Sequence, residues 1–417
     1  MPSLSRSVAT AALAVNPHAL PSAVIDKVKI GLLDMLSCAL EDQPAPWPFQ
    51  SNSTGEAAFI NATRAHGLVR EDMHIGSVSH LGVVIFPTLL ALSQRKQICG
   101  YEFIRAAVCG YEIGAVIGKA LMDPAFVQFH RPTGTTGPIA GAVAGSLLLG
   151  LSEDQLVSAI GFAANTASGL NEWPYSGGEE MFYHPGFAAR NAVTSVELAE
   201  LGAVASETAL DGRAGLFATL GRADRLSAVT PFQEGCWEIL SVYYKPAPAC
   251  NYAQTACQTA LALCDASDID EIHVRCSAAA VAYPGCNFAG PYERVLQAKM
   301  SIQFCVAATL AHGKIAESNY RDLAHPEVMR LISMMTLEPD DRFTAAYPEK
   351  QGAEVTILLR NGETRTHRMD DLVPATPDEI RARFRASCKN AEAVEAFIDS
   401  LESQPSAGAL NKLLEEE

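Results

Sequence analysis

Positive charge is scarce in this 417-residue chain: 31 Lys and Arg stand against 47 Asp and Glu, a formal net charge of −16. Nucleic acid and anionic membrane surfaces both need a basic face, so the imbalance argues against either as a partner. Long apolar runs are missing too. The longest, Ile139 to Leu151, covers about 13 residues, short of the roughly 18–20 that a membrane-crossing helix needs. No Cys-x-x-Cys pair occurs among the 11 cysteines, an odd number, which disfavours a disulfide framework and fits a reducing cytoplasm. P-loop, Gly-x-Gly-x-x-Gly after a strand and Gly-x-Ser-x-Gly are all absent, so nucleotide binding and serine-nucleophile chemistry lack their usual signatures.

Apolar sequence is plentiful. With 48% hydrophobic and 19% charged residues the chain fills a large core, and global disorder is excluded. At roughly 150 residues per domain the length suggests about two or three domains. Arg6 followed by the Ala-rich run Val8–Val15 reads as a first helix rather than a signal peptide. Up to about residue 240 the apolar spacing is helical: Ser22–Leu40, Glu56–His66, Thr88–Ser93 and Tyr101–Leu121. Ser152-Glu-Asp-Gln155 is a capping box opening a helix through Ala164. Gly137, Gly141 and Gly145, four apart, predict a close helix crossing. Cys250, Cys257 and Cys264, seven apart, predict a helical stripe of small core residues.

Beyond residue 240 strands enter. Glu271–Ser277 alternates polar and apolar positions, and Ala353–Arg360, Asn361-Gly362 and Glu363–Arg368 read as a hairpin with a type I′ turn. Thr376-Pro-Asp-Glu379 caps a returning helix. The expected class is mainly α: an all-helical domain over 1–240 and 376–417, with a smaller α+β lid over 241–375, because a tail this short folds only by packing back onto the first segment.

Chemistry-bearing residues gather in four breaks between apolar helices: Ala65–His80, Phe129–Thr135, Glu179–His184 and Tyr243–Asn251. Loops fixed by proline and carrying His, Arg and Lys are where scaffolds place function. Neither His74 with His80 nor Glu180 with His184 has a third and fourth ligand at metal spacing, so no metal is expected. His66, at helical spacing, reads as a hydrogen-bonded core histidine, Arg190 as a cap or ion pair within the bundle, and Glu179-Glu180 as solvated. Together the breaks favour proton transfer: a histidine near neutrality is a good base, and Arg131, Lys245 and Arg190 are the cations able to hold a carboxylate as charge develops.

Five stretches then form a recognisable series: Ala65–His80, His130-Arg-Pro-Thr-Gly-Thr-Thr-Gly137, His184-Pro-Gly-Phe-Ala-Ala-Arg-Asn191, Tyr244-Lys-Pro-Ala-Pro-Ala-Cys250 and Ala298-Lys-Met-Ser-Ile302. In order and spacing the chain resembles the MmgE/PrpD family of dehydratases, decarboxylases and epimerases of small carboxylates. The resemblance implies a large helical domain with a smaller α+β lid, a homodimer, no cofactor, and removal of a proton next to a carboxylate or carbonyl. It assigns His80 as base or acid, Asp72 as its assistant and Lys245 as stabiliser of developing charge. Arg131, His130, Tyr183 and His184 would hold the substrate's carboxylate.

The resemblance also marks departures. Val69 and Met73 stand where the family's loop carries Asp and Thr, Arg131 where it often has His, Met181 where some members have Lys, and Cys250 where the decarboxylase has His. The expected function is a lyase of the dehydratase type on a small anionic carboxylate, with epimerisation next. The alternative is a member that has lost catalysis and binds a carboxylate or serves as a dimeric scaffold.

Overall fold

Local caps divide the first half of the chain into helices. In the computed structural model, which describes residues 2–41, 51 and 53–415, these are α1 (Leu4–Leu13), α2 (Ser22–Leu40), α3 (Thr54–Gly67), α4 (Gly82–Ser93), α5 (Gly100–Leu121), α6 (Pro132–Leu149), α7 (Glu153–Ala164), the single turn α8 (Trp173–Ser176) and α9 (His184–Glu200). At the start of α7 the Gln155 amide N–H donates to Ser152 Oγ (3.3 Å) while the Ser152 N–H donates to Gln155 Oε1 (2.9 Å), so the predicted capping box closes. Helix α4 starts at Gly82, ahead of the predicted Thr88, and runs through Pro87. The whole helix is buried, and that burial outweighs the backbone bond a proline removes.

Every residue of α6 is buried, and its glycine stripe is what lets two helices approach it. A methyl group added at Gly141 would lie 2.6 Å from Ala192 Cβ on α9, and one at Gly145 would lie 2.7 Å from Leu92 Cδ1 on α4. The stripe thus sets the α6–α9 and α6–α4 crossings at backbone distance.

Two short strands, β1 (Met73–His74) and β2 (Val242–Tyr243), pair antiparallel and tie the first break to the fourth. After them come β3 (Ile269–Cys276), β4 (Met335–Pro339), β5 (Ala353–Leu359) and β6 (Thr364–Met369), in spatial order β4-β3-β5-β6. Strands β3 and β4 run parallel, the other neighbours antiparallel. Ala353, Val355, Ile357 and Leu359 point inward, and helix Gln254–Leu261 packs on the sheet. The protein is therefore mainly α, with a smaller α+β part.

Two local expectations fail. The hairpin loop is not a two-residue type I′ turn: Gly362 (φ +86°) is left-handed and Asn361 is not, with Leu359 N–H bonded to the Glu363 carbonyl and Gly362 N–H to that of Leu359. This is a three-residue loop with a bulged glycine. The Asn361 side chain accepts from Glu363 N–H (2.8 Å) instead of entering the left-handed region. Nor do the three cysteines share a helix. Only Cys257 lies within Gln254–Leu261, and Cys250 precedes it.

The C-terminal helices return to α2 and α5. Thr376 and Glu379 form the predicted capping box of helix Pro377–Ser387, which packs on α2. Arg383 from this helix donates to the carbonyls of Lys245 and Pro246, both at 3.0 Å. Lys29 of α2 binds the Asp399 carbonyl and the Glu402 carboxylate.

Candidate functional site

Helix α3 ends at Gly67, and the chain crosses the molecule's interior before α4 begins. Val69 takes a left-handed conformation there (φ +56°), as does Val78 (φ +51°), a costly state for β-branched residues. Two buried lysines from the second half of the chain hold this crossing. Lys245 Nζ donates to the Val69 carbonyl (2.6 Å), and Lys299 Nζ donates to the Leu68 carbonyl (2.8 Å) and to Glu317 (2.6 Å).

Glu71 sits at the centre. Its Oε1 lies 2.8 Å from His66 Nδ1, 3.2 Å from His80 Nδ1 and 3.5 Å from Lys245 Nζ, with all four groups buried. Burial alone would raise its pKa, but Lys245, His66 and His80 hold it well below the usual carboxylate range. The anion therefore persists in the interior because it is hydrogen-bonded to His66 and lies beside the Lys245 ammonium.

His80 is oriented from one side. Its Nδ1 lies 2.7 Å from the Asp72 main-chain carbonyl, which can only accept, so Nδ1 carries the hydrogen and Nε2 the lone pair. The His80 N–H donates to Thr133 Oγ1 (3.0 Å), fixing this residue to the start of α6. Burial, with Lys245 and Arg131 nearby, keeps the imidazole pKa well below its usual value against the opposing pull of Glu71. The ring is therefore neutral at neutral pH, with its lone pair on Nε2.

Arg131, just ahead of α6, lines the same small cavity as His80, with Val69, Met73, Cys250, Tyr252 and Tyr283 among the other walls. Its Nη1 donates to Tyr283 Oη (3.1 Å) and its Nη2 lies 3.4 Å from His66 Nε2. Its Nε is buried with no hydrogen-bond partner, and no carboxylate among the described residues lies within ion-pairing distance. The guanidinium is only 4% exposed, and a buried cation without an acid partner is stabilised by an anion beside it. Cys250 lies 3.4 Å from the Cys286 sulfur. Burial would raise its thiol pKa, but the Cys286 and Tyr252 hydrogen bonds and the Lys245 and Arg131 charges lower it overall.

An outer cleft adjoins this cavity. It lies between the helical part (Val78, Met122, Val127) and the α+β part (Ala279, Ala282, Pro348), and shares Val78, Tyr252 and Tyr283 with the inner cavity. The inner space is about the size of one water molecule, and the Arg131–Tyr283 hydrogen bond lies at its wall.

Several residues expected at the site lie elsewhere. The Asp72 carboxylate turns away from His80, accepting from Tyr111 Oη (2.7 Å) and Gly82 N–H (3.2 Å). The acid that touches His80 is Glu71. Lys245 stands behind Glu71 rather than on the cavity wall. His130 stacks on Phe126, with ring centroids 4.3 Å apart, and does not line the cavity. Tyr183 stacks on Phe59 and is absent from the wall. His184 lines a different cavity, with Gly134, Gly169 and Asn191. Burial together with Arg131 and His66 pushes its pKa down to about 3.

Conversely, His66 is more than a core histidine, since it joins Glu71 to Arg131. Tyr283 comes from the α+β part with no local signal in the sequence. Among the described residues no cluster of three or more His, Cys, Asp or Glu is arranged to hold a metal ion. Nor is any helix long and apolar enough to cross a membrane.

Behind the loop, Asp34 on α2 has both carboxylate oxygens buried without a hydrogen-bond partner. Burial, reinforced by Asp72, pushes its pKa up to about 7. Asp72 itself is pushed up to about 6 by burial, with the Tyr111 hydrogen bond opposing.

A helical part and an α+β part thus meet beside a cavity lined by His80 and by a guanidinium, Arg131, that has no carboxylate partner among the described residues. Comparison with known proteins makes the class specific. The MmgE/PrpD N-terminal domain matches residues 42–228 and the MmgE/PrpD C-terminal domain matches 247–399, so the chain belongs to the MmgE/PrpD family. It is 25% identical to a cis-aconitate decarboxylase-like protein, oryM, of Aspergillus oryzae, over 96% of this chain and 94% of that one. It is 25% identical to a cis-aconitate decarboxylase of Aspergillus terreus, over 84% and 81%. With a mitochondrial 2-methylcitrate dehydratase of Yarrowia lipolytica it shares 26% identity over 66% of this chain and 55% of the relative.

Proposed function

We propose that the protein is a lyase acting on a small carboxylate by removing a proton next to the carboxylate or carbonyl. The observation that carries this reading is the pairing in one cavity of a neutral imidazole with a bare lone pair (His80 Nε2) and a buried guanidinium (Arg131) that has no acid partner among the described residues. The relatives' names, decarboxylase and dehydratase, agree with lyase chemistry.

In this reading the substrate's carboxylate displaces the Tyr283 hydroxyl from Arg131. His80 Nε2 takes the proton from the neighbouring carbon, and the electron pair left behind spreads onto the carboxylate. There the guanidinium stabilises it most in the transition state. Glu71 offsets the positive charge that His80 then carries. Elimination follows when the leaving group departs with a proton, for which the Cys250 thiol and the Tyr283 phenol are at hand. Return of a proton to the opposite face gives epimerisation at the same site.

The test is to incubate the full chain with a panel of mono-, di- and tricarboxylates in heavy water and follow deuterium incorporation and product by NMR. Exchange is expected with at least one of them. It should fall at least about 100-fold in His80→Ala, the scale on which a general base acts. No exchange with any acid, or undiminished exchange in His80→Ala, overturns the reading. Binding without exchange favours a carboxylate-binding member that no longer catalyses.

A further inference from the structure

The described lining of the inner cavity contains one permanently charged group, Arg131. Its other walls are Val69, Met73, Val78 and Met300, the neutral His80, two tyrosines, Asn251 and Cys250. Lys245 and Lys299, the other buried cations nearby, are turned to main-chain carbonyls and matched by Glu71 and Glu317. Neither offers a free charge to a ligand.

The outer cleft continues the pattern. Its described lining has no Lys, Arg or His, and consists largely of aliphatic side chains such as Met122, Val127, Ala279 and Ala282. The one ionised group on it is a carboxylate, Asp123, already held by Arg222 (3.0 Å) and Arg225 (2.7 Å). A second or third carboxylate on the ligand would therefore meet mostly aliphatic side chains, with no free cation among the described lining residues and with the one carboxylate, Asp123, already taking up Arg222 and Arg225. Burying an ion without a partner is heavily penalised.

We propose that the site takes an acid read through one carboxylate, with an extended apolar body: the carboxylate binds Arg131 and the body passes Tyr283 and Val78 into the outer cleft. The proposal rests on the proton-abstraction site described above and deepens it by naming the substrate class. It separates this chain's ligand from acids whose several carboxylates each need a cation.

The test is a chain-length series. Butanoate, hexanoate and octanoate, with citrate and cis-aconitate for comparison, are titrated into the full-length protein by calorimetry. Each added methylene should tighten binding roughly threefold to fourfold, the factor for about 0.8 kcal/mol of apolar burial. Octanoate should bind at least tenfold tighter than either tricarboxylate. Arg131→Met should abolish octanoate binding, and Ala282→Trp should remove the advantage of octanoate over butanoate. The wild-type series alone decides the matter if either variant fails to fold. Affinity that does not rise with chain length, or tighter binding of a tricarboxylate, overturns the proposal.

The two readings fail differently. Deuterium exchange into cis-aconitate or citrate with no octanoate binding removes only this inference. Absence of exchange with every acid removes the catalytic reading, and chain-length-dependent binding would then stand on its own.

Discussion

Asp34→Asn should change how the stability of this protein depends on pH. The folded chain holds the Asp34 carboxyl at about 7, against 3.8 ordinarily, because it is buried and no hydrogen bond reaches either oxygen. A raised carboxyl stabilises the fold only where it is protonated, so its contribution is greatest below the unfolded value and declines as pH rises to about 7. Each tenfold change in proton affinity is worth about 1.4 kcal/mol, so the full loss above pH 7 is on the order of 4 kcal/mol. Part of that loss is already present at pH 5, where only the unfolded carboxyl is ionised, which leaves roughly 2–3 kcal/mol to appear between pH 5 and pH 8. Asn cannot ionise. Its amide, if unpaired, costs about 1–3 kcal/mol at every pH, so the offset at one pH is not diagnostic, but the change in offset is. Urea unfolding of both proteins at pH 5 and pH 8, followed by circular dichroism, measures that change. His66 and His80 titrate in both proteins and cancel in the difference, whereas Asp72, held at about 6 and coupled to Asp34, cancels only in part, so the gain expected of the variant is an upper bound. The variant should gain up to about 3 kcal/mol relative to the wild type on going to pH 8. An offset that is the same at both pH values, within about 0.5 kcal/mol, would refute the reasoning.

Glu71→Gln should destabilise the fold by about 3–5 kcal/mol, because it leaves Lys245 fully buried without a counter-charge. Adding Lys245→Met should recover part of the loss, and a double variant no more stable than Glu71→Gln in urea would show that the two charges are not coupled. Gly141→Val should cost about 1–3 kcal/mol by forcing α6 from α9, since the first added carbon already lies 2.6 Å from Ala192 Cβ. Ala192→Gly in the same chain should restore part of the melting temperature, and no restoration would place the strain elsewhere.

Helix starts were legible in the sequence wherever the signal was local. Ser152 with Gln155 and Thr376 with Glu379 need only each other, and both boxes form. The hairpin was legible for the same reason. Its loop type was not, because the Asn361 side chain found a partner in Glu363 N–H that residue type alone does not dictate. In the site, Arg131 and His80 stood out as polar residues beside proline or between apolar helices. Which of His130 and Arg131 turns inward was not readable, since neighbouring residues at a helix start point in different directions. Glu71 and Asp72 posed the same problem: the carboxylate beside His80 is that of Glu71, while that of Asp72 accepts from Tyr111. His66 looks like any core histidine until the β1–β2 pairing brings Lys245 to Glu71 beside it. Tyr283 lies about 150 residues from Arg131 and carries no mark of its own.

The lysine anchors on the carbonyls of Leu68 and Val69 have a consequence for how the protein can be taken apart. The strained turn before Glu71 belongs to one matched domain, yet Lys299 that secures it belongs to the other, and Lys245 lies in the segment joining them. Arg383, close to the chain's end, in turn grips the carbonyl of Lys245. The binding cavity is therefore a property of the assembled chain rather than of either half. A fragment ending before residue 240 would lack both lysines, and with them the contacts that hold the loop carrying Glu71. Two fragments mixed together would report their reunion through that loop, which makes the spacing of Glu71 from its lysine a gauge of domain docking.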